Sequence, residues 1–378
     1  MLLRHCALLV VTRDARLLAF ANGVIYIENA ARSLAETPRP KASRRARDGL
    51  MSLRAELVRL GARCFLKRSR YGPAQQSRQQ LRKMITLTPR PPSGTKTLSL
   101  DAGNVRADRI SVPVSHPDRH LLFLHGGAYR AGAPANYRHF TWRLAAATHA
   151  IVLAIDYRLA PEHPFPAALD DAVSAYRWLL DGGAAPDKIL IMGDSAGGGL
   201  TLAALLKLRD DGLPLPAAAV ALSPWTDLAL TGASLKLNAR SDPMLNVEHL
   251  PMLAQEYLAG ADPRLPYISP LYGDLAGLPP ILLQVGGDEI LRDDAVRMHE
   301  RLRDAGCQSE LEVWPRMPHV WHAFAPVLPE ARRAIASVGA FARRHLASRV
   351  AEARQAASEP ARDSAHPFPT TEISLPSR

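Results

Sequence analysis

From Leu121 onward the chain alternates between short runs that are almost wholly apolar and longer stretches in which apolar residues recur every three or four positions. The short runs are Leu121 to Leu124, Ile151 to Ile155, Ile189 to Met192, Ala217 to Leu222 and Ile281 to Val285. Each has strand length and little polar alternation, the pattern of a strand covered on both faces. Between them lie helical patterns such as Ala168, Ala172, Ala175 and Leu179, after which Gly182 and Gly183 stop the helix. Repeated strand, helix, strand units predict an α/β fold with a mostly parallel central sheet and helices on both faces. Glu310 to Val313 alternates strictly, which predicts a last strand with one wetter face.

Upstream, Leu53, Leu57, Leu60 and Cys64 recur at helical spacing, so a helix or two between Leu53 and about Met84 precedes the sheet. Two stretches break the alternation. Residues 232–265 carry no parallel-strand run and read as an insertion placed to lie over a site, while 350–378, rich in Ala, Ser, Pro and Glu, read as a disordered tail. The expected layout is a basic, poorly ordered extension over 1–50, one domain over 51–349 with cap elements near 53–84 and 232–265, and the tail.

The net charge of +11 changes this picture less than it first suggests. Residues 1–100 hold 20 Lys and Arg against 5 Asp and Glu, leaving 27 against 31 elsewhere, so the basic excess lies within the first 100 residues. That segment has neither zinc-finger spacing nor an aromatic-rich RNA-binding pattern, and no nucleic-acid partner is expected. Cys6, Cys64 and Cys307 are far apart and odd in number, which argues against a disulfide framework or zinc site and for a reducing compartment. The initial apolar run is cut by Thr12, Arg13 and Asp14, and no stretch of 18 apolar residues follows. The expectation is a cytoplasmic chain without stable membrane insertion.

Candidate chemistry sits where apolar runs end. Ile189 to Met192 leads into Gly193-Asp194-Ser195-Ala196-Gly197, then into a helical stretch from Leu200 to Leu208. This is G-x-S-x-G in a strand, turn, helix setting: the tight turn exposes the serine hydroxyl, and Gly193 and Gly197 remove side chains that would collide. A serine hydroxyl needs a base. His319 follows the alternating strand in a loop able to reach over the sheet edge, and His322 is its nearest rival. The third member should be a carboxylate at another strand end, and Gly286-Gly287-Asp288 after the 281–285 run places Asp288 there. Glu289, Asp293 and Asp294 are its close rivals, assigned to solvent, a helix start or an N-terminal cap. Leu121 to Leu124 ends in His125-Gly126-Gly127-Ala128-Tyr129, whose backbone N–H groups, with that of Ala196, can form an oxyanion hole. His125 is read as a structural histidine holding that turn.

The His125-Gly126-Gly127 and Gly193-Asp194-Ser195-Ala196-Gly197 motifs, with Asp156-Tyr157-Arg158-Leu159-Ala160-Pro161-Glu162, resemble the hormone-sensitive-lipase-like family of α/β-hydrolases. The resemblance runs from about Leu121 to His345. It implies an α/β-hydrolase fold with an N-terminal helical cap, a triad matching Ser195, Asp288 and His319, and action on esters of short or medium acyl chains; the serine mechanism itself needs no metal or organic cofactor. Ala128 stands where the family commonly has a third glycine; Gly127 and Ala196 are therefore the main expected donors, with Ala128 beside them and Gly126 supporting.

The expected function is serine carboxylic-ester hydrolysis of a small-molecule ester through an acyl-enzyme. Alternatives are a lactonase or amide or acetyl hydrolase with the same triad, a non-catalytic hydrolase-like receptor, or a polyanion binder driven by the basic arm. Trp225, Tyr129 and Tyr257 are candidate pocket walls or ordinary packing. Oligomeric state is left open.

Overall fold

The computed structural model describes residues 8–11, 16–21, 24–29, 52–67, 72–85 and 88–346. Within the basic segment 1–50, strands β1 (Leu8–Val11), β2 (Arg16–Ala21) and β3 (Val24–Asn29) pair antiparallel as a sheet of their own. The rest of that segment, and the tail from residue 347, lie outside the described residues.

Helices α1 (Leu53–Phe65) and α2 (Ala74–Ile85) come next, as the helical spacing anticipates. Ser52 caps α1, its hydroxyl accepting from the N–H of Ala55, which satisfies one of the donors a helix start leaves unpaired. The main sheet opens with a hairpin of β4 (Lys96–Ala102) and β5 (Val105–Ser111). There follow β6 (His120–Leu124), α3 (Pro134–Thr148), β7 (Ile151–Ile155), α4 (Ala167–Asp181), β8 (Ile189–Asp194), α5 (Ala196–Asp210) and β9 (Ala218–Leu222). The 232–265 insertion carries two helices, α6 (Ser234–Leu237) and α7 (Leu250–Leu258). Then β10 (Ile281–Gly286), α8 (Arg292–Asp304), β11 (Ser309–Trp314) and α9 (Pro329–Leu346) complete the described chain.

The strand order is β11-β10-β9-β8-β6-β7-β5-β4, parallel from β11 through β7, with β5 antiparallel to both its neighbours. The expected fold is present, and the sheet is mixed because of the β4–β5 hairpin. β4 is solvent-exposed along most of its length, so it carries no apolar run to announce it.

Strands β6 to β10 are buried on both faces because each face has its own helical layer. Leu122, Leu124, Ile189, Ile191, Ala219 and Leu283 pack with α4, α5 and α8. Leu121, Phe123, Leu190, Met192, Val220 and Leu282 pack with α3 and α9. Alternate residues thus serve opposite layers, as the two-residue period of a strand requires. Each of the larger of these side chains taken from water contributes roughly 1.5–3 kcal/mol.

Register sets the site. Leu124 of β6 lies opposite Gly193 of β8, Asp194 opposite Leu222 of β9, and Leu222 opposite Gln284 of β10. The loops after these strands therefore emerge in one row at the carboxyl edge. The chain leaves β6 toward β7 on one side and β8 toward β9 on the other, and α/β sheets place their sites at such a switch point.

Ile191 is fully buried in the middle of β8. Ile191→Ala is expected to cost about 2–5 kcal/mol through lost burial and the cavity it leaves, read as a lower urea unfolding midpoint at unchanged slope.

Candidate active site

Ser195 occupies the turn between β8 and α5 with φ 55° and ψ −122°, a strained conformation for an L-residue. It is held there from both sides. Its N–H donates to the Leu222 carbonyl at 2.8 Å, and its own carbonyl accepts from Trp225 at 3.0 Å and from Gly198 and Gly199 at the start of α5. A Cβ at Gly193 would lie 2.1 Å from the Gly197 carbonyl oxygen, and one at Gly197 would lie 2.1 Å from that of Leu124. Both glycines are therefore required by backbone contact.

His319 Nε2 is 2.8 Å from Ser195 Oγ. Its Nδ1 is 2.7 Å from Oε2 of Glu289, not of Asp288. Glu289 is fully buried, and its other oxygen accepts from Ser223 Oγ at 2.7 Å and from the Gly286 N–H at 2.6 Å. Ser223 Oγ also accepts from the Val320 N–H, tying the carboxylate to the histidine loop. Burial by itself would lower the pKa of His319, but the Glu289 carboxylate outweighs it and holds it above the ordinary 6.5, with Asp242 and Asp194 adding to the rise.

Asp288, the expected acid, points away. Its carboxylate is 2.7 Å from an Nη2 of Arg59 on α1 and is partly exposed. The reason is the turn at the end of β10: the Glu289 N–H bonds back to the Gly286 carbonyl at 3.2 Å, which folds residue 289 under the strand end and leaves 288 at the outer corner. Asp293 receives the Ser234 N–H, and Asp294 is buried, accepting the N–H groups of Thr226 and Asp227. Neither carboxylate bonds to His319. His322 is removed to the core, where it meets Gln284 Oε1 at 2.7 Å and burial pushes its pKa down to about 3.

The glycine loop after β6 divides its backbone donors. The Gly126 N–H is taken by Asp194 Oδ1 at 3.0 Å, so Gly126 does not serve as an oxyanion donor. Among the described residues no acceptor takes the N–H of Gly127, Ala128 or Ala196. Asp194 thereby braces the loop against the serine turn, and its second oxygen accepts from Tyr137 at 3.1 Å. Burial pushes Asp194 up to about 6, and these two donors restrain the shift. Gly127 and Ala128 have φ 121° and 53°, and Ala128 keeps a left-handed turn at a cost glycine would not bear. His125 is buried, stacked on Tyr157 at 4.2 Å, and pushed down to about 4 by burial. Its Nδ1 meets the Gly126 carbonyl and its own carbonyl accepts from Tyr157. Tyr129 and Tyr257 stack at 3.7 Å with Trp225 nearby, and all three are buried, which makes them packing rather than an open wall.

Sequence reasoning missed Ser223, Asn238 and Asp242. Asn238 Nδ2 donates to the carbonyls of Gly287 and Glu289, and Asp242 Oδ2 accepts the Ile290 N–H. All three are polar residues distant in sequence from the groups they hold, and only the strand-end position of Ser223 hinted at a role. Among the described residues there is no cluster of three or more His, Cys, Asp or Glu side chains able to hold a metal, and no helix is long and apolar enough to cross a membrane.

This arrangement is that of an activated hydroxyl: a strained serine, an imidazole in contact with it, a buried carboxylate on the far nitrogen and backbone donors alongside. Comparison with known proteins places the chain among its relatives. A family described as having the alpha/beta hydrolase fold matches residues 121–323. An acetyl-hydrolase of Streptomyces hygroscopicus is 52% identical over 222 residues, 59% of this chain and 74% of that protein. An esterase of Acinetobacter venetianus is 38% identical over 232 residues, 61% of this chain and 76% of the other. The crystal structure of an esterase from the bacterial hormone-sensitive lipase family is similar with a TM-score of 0.75 at 44% identity, covering 79% of this chain and 99% of that one. EstE5, from a crystal soaked with p-nitrophenyl butyrate, gives 0.75 at 39%, covering 79% and 100%.

Gly197→Ala is expected to destabilise the fold by about 1–3 kcal/mol, because backbone rather than a flexible side chain must yield. A lower melting temperature in calorimetry checks this; an unchanged one would show that the serine turn relaxes freely.

Proposed function

The chain belongs to the bacterial hormone-sensitive-lipase family of α/β-hydrolases and is a carboxylic-ester hydrolase, and from that premise we propose that it acts on short- to medium-chain acyl esters through Ser195, His319 and Glu289. The observation that carries the residue assignment is the unbroken line from Ser195 Oγ through both imidazole nitrogens to a buried carboxylate. A preference for small acyl groups is supported by the 52%-identical relative named acetyl-hydrolase and by the butyrate ester soaked into EstE5.

In the proposed reaction Ser195 Oγ attacks the ester carbonyl while His319 Nε2 takes its proton. Glu289 holds Nδ1–H in the tautomer that leaves Nε2 free, and balances the imidazolium as it forms. The carbonyl oxygen, now an anion, is met by the N–H groups of Gly127, Ala128 and Ala196, fixed in place before the charge develops. His319 then protonates the leaving alkoxide, which departs as the alcohol. Water enters, gives a proton to His319 and attacks the acyl-serine; collapse returns that proton to Ser195 and releases the acid. The base works only when neutral. Since the Glu289 charge raises the pKa of His319, kcat/KM should fall as pH drops through a value above 6.5.

These expectations meet in one experiment: pH profiles of kcat/KM on p-nitrophenyl esters from acetate to palmitate, for the wild type, Ser195→Ala and Glu289→Gln. Turnover should peak on short or medium chains. Ser195→Ala should lower kcat by roughly a millionfold. Glu289→Gln should lower it on the order of ten-thousandfold and move the acid limb to lower pH, because the carboxylate that favours the imidazolium is gone. A wild type that turns over no ester and takes no label from a fluorophosphonate would overturn the reading, and turnover confined to lactones or anilides would move the substrate class.

A further inference from the structure

The turn that carries Glu289 and the loop that carries His319 lie backbone against backbone. The Gly287 N–H donates to the Trp314 carbonyl at 2.8 Å, and a Cβ on Gly286 would lie 2.1 Å from the Met317 carbonyl oxygen. Past the ends of β10 and β11, residues 287–289 and 315–319 belong to no helix or strand, so a contact that joins the turn to the loop bears directly on the pair between His319 and Glu289.

Arg59 holds them. It sits in the middle of α1, 8% exposed. One arm of its guanidinium donates to the Arg316 carbonyl, three residues before His319, and the other meets Asp288, one residue before Glu289, at 2.7 Å. Glu56, one turn earlier on α1, completes the arrangement by pairing with Arg316 Nη2 at 2.7 Å. Charges alternate across the contact from Asp288 to Arg59 to Glu56 to Arg316. A planar guanidinium is suited to this because it presents two fixed donors to two acceptors at once, which a lysine ammonium on its flexible stem does not.

α1 is itself docked along its length. Ser52 donates through N–H and hydroxyl to Glu330 on α9, and Lys67 donates to the carbonyls of Ala239 and Asp242 in the insertion, both at 2.6 Å. Between these ends the small buried face of Ala55, Val58 and Ala62 lets the helix lie close. Arg59 thus fastens the two loops to a helix anchored elsewhere.

We propose that Arg59 is a positioning residue for the reaction, stapling the acid turn to the histidine loop through Asp288 and Arg316 so that the seating of α1 and the assembly of the triad are one event. This rests on the triad assigned above. It gives Asp288 a role as the staple's anchor rather than as the acid. Ground-state binding of the ester is not involved, so loss of the staple should appear in kcat and leave KM nearly unchanged.

The test measures kcat and KM on p-nitrophenyl acetate per fluorophosphonate-titrated site, together with melting temperature, for Arg59→Met, Arg59→Lys and Asp288→Asn in the full chain. Titration restricts the rate to folded, competent molecules, so a purely structural role would lower the melting temperature without changing kcat per site. Arg59→Met should lower kcat per site roughly ten- to a hundredfold, the scale of a small misplacement of catalytic groups. Arg59→Lys and Asp288→Asn, each keeping part of the contact, should fall between it and the wild type. Unchanged kcat per site in Arg59→Met would overturn the proposal, as would a raised KM at constant kcat. If Arg59→Met does not fold, unchanged kcat per site in both milder variants would overturn it equally. Failure of the triad assignment is separate: it would appear as a wild type without turnover or label.

Discussion

A buried carboxylate against a buried imidazole is the interaction on which this site depends. Glu289 is fully excluded from water and His319 nearly so, and taking such groups out of water is costly unless their remaining atoms are satisfied. Here they are: Ser223 and the Gly286 N–H take one oxygen of Glu289, His319 takes the other, and Ser195 takes the second imidazole nitrogen. The same closure that makes the pair expensive to build makes it directional. Only one tautomer of a neutral His319 satisfies both partners, and it leaves a lone pair aimed at the serine hydroxyl.

The surroundings follow from that demand. The sheet supplies a row of strand ends in fixed register, and close backbone contacts at Gly193, Gly197 and Gly286 bring the loops to bonding distance. Asp194 takes the Gly126 N–H with one oxygen, which removes that donor and braces the loop that carries Gly127 and Ala128. Helix α1 and the 232–265 segment reach the same turn: Asn238 and Asp242 bond to residues 287–290, and Arg59 bonds both to Asp288 and to the Arg316 carbonyl of the histidine loop.

Much of this was legible in the chain because it is local. Apolar runs marked β6 to β10, since those strands are covered on both faces, and the serine turn was readable because strand, glycines and helix adjoin it in sequence. The β4–β5 hairpin was not, because exposed β4 has no apolar signature. Ser195 and His319 stand at strand-end loops that few residues compete for. The carboxylate that meets His319 lies one position from the one expected, because Asp288 and Glu289 are equivalent in composition and are separated only by which way a turn rotates their side chains. That rotation is matched by Arg59, 229 residues away in the chain, and no local pattern reports it. Gly126 was misread for a similar reason: a motif shows that an N–H exists, not which acceptor has taken it.

The most direct test of this account is nuclear magnetic resonance of the His319 ring in nitrogen-15-labelled protein, following the strongly deshielded Nδ1 proton that a buried carboxylate partner produces. The account predicts that this signal is present in the wild type, persists in Asp288→Asn, and is lost in Glu289→Gln. Its loss in Asp288→Asn with persistence in Glu289→Gln would contradict the assignment of the acid and, with it, the arrangement of the site described above.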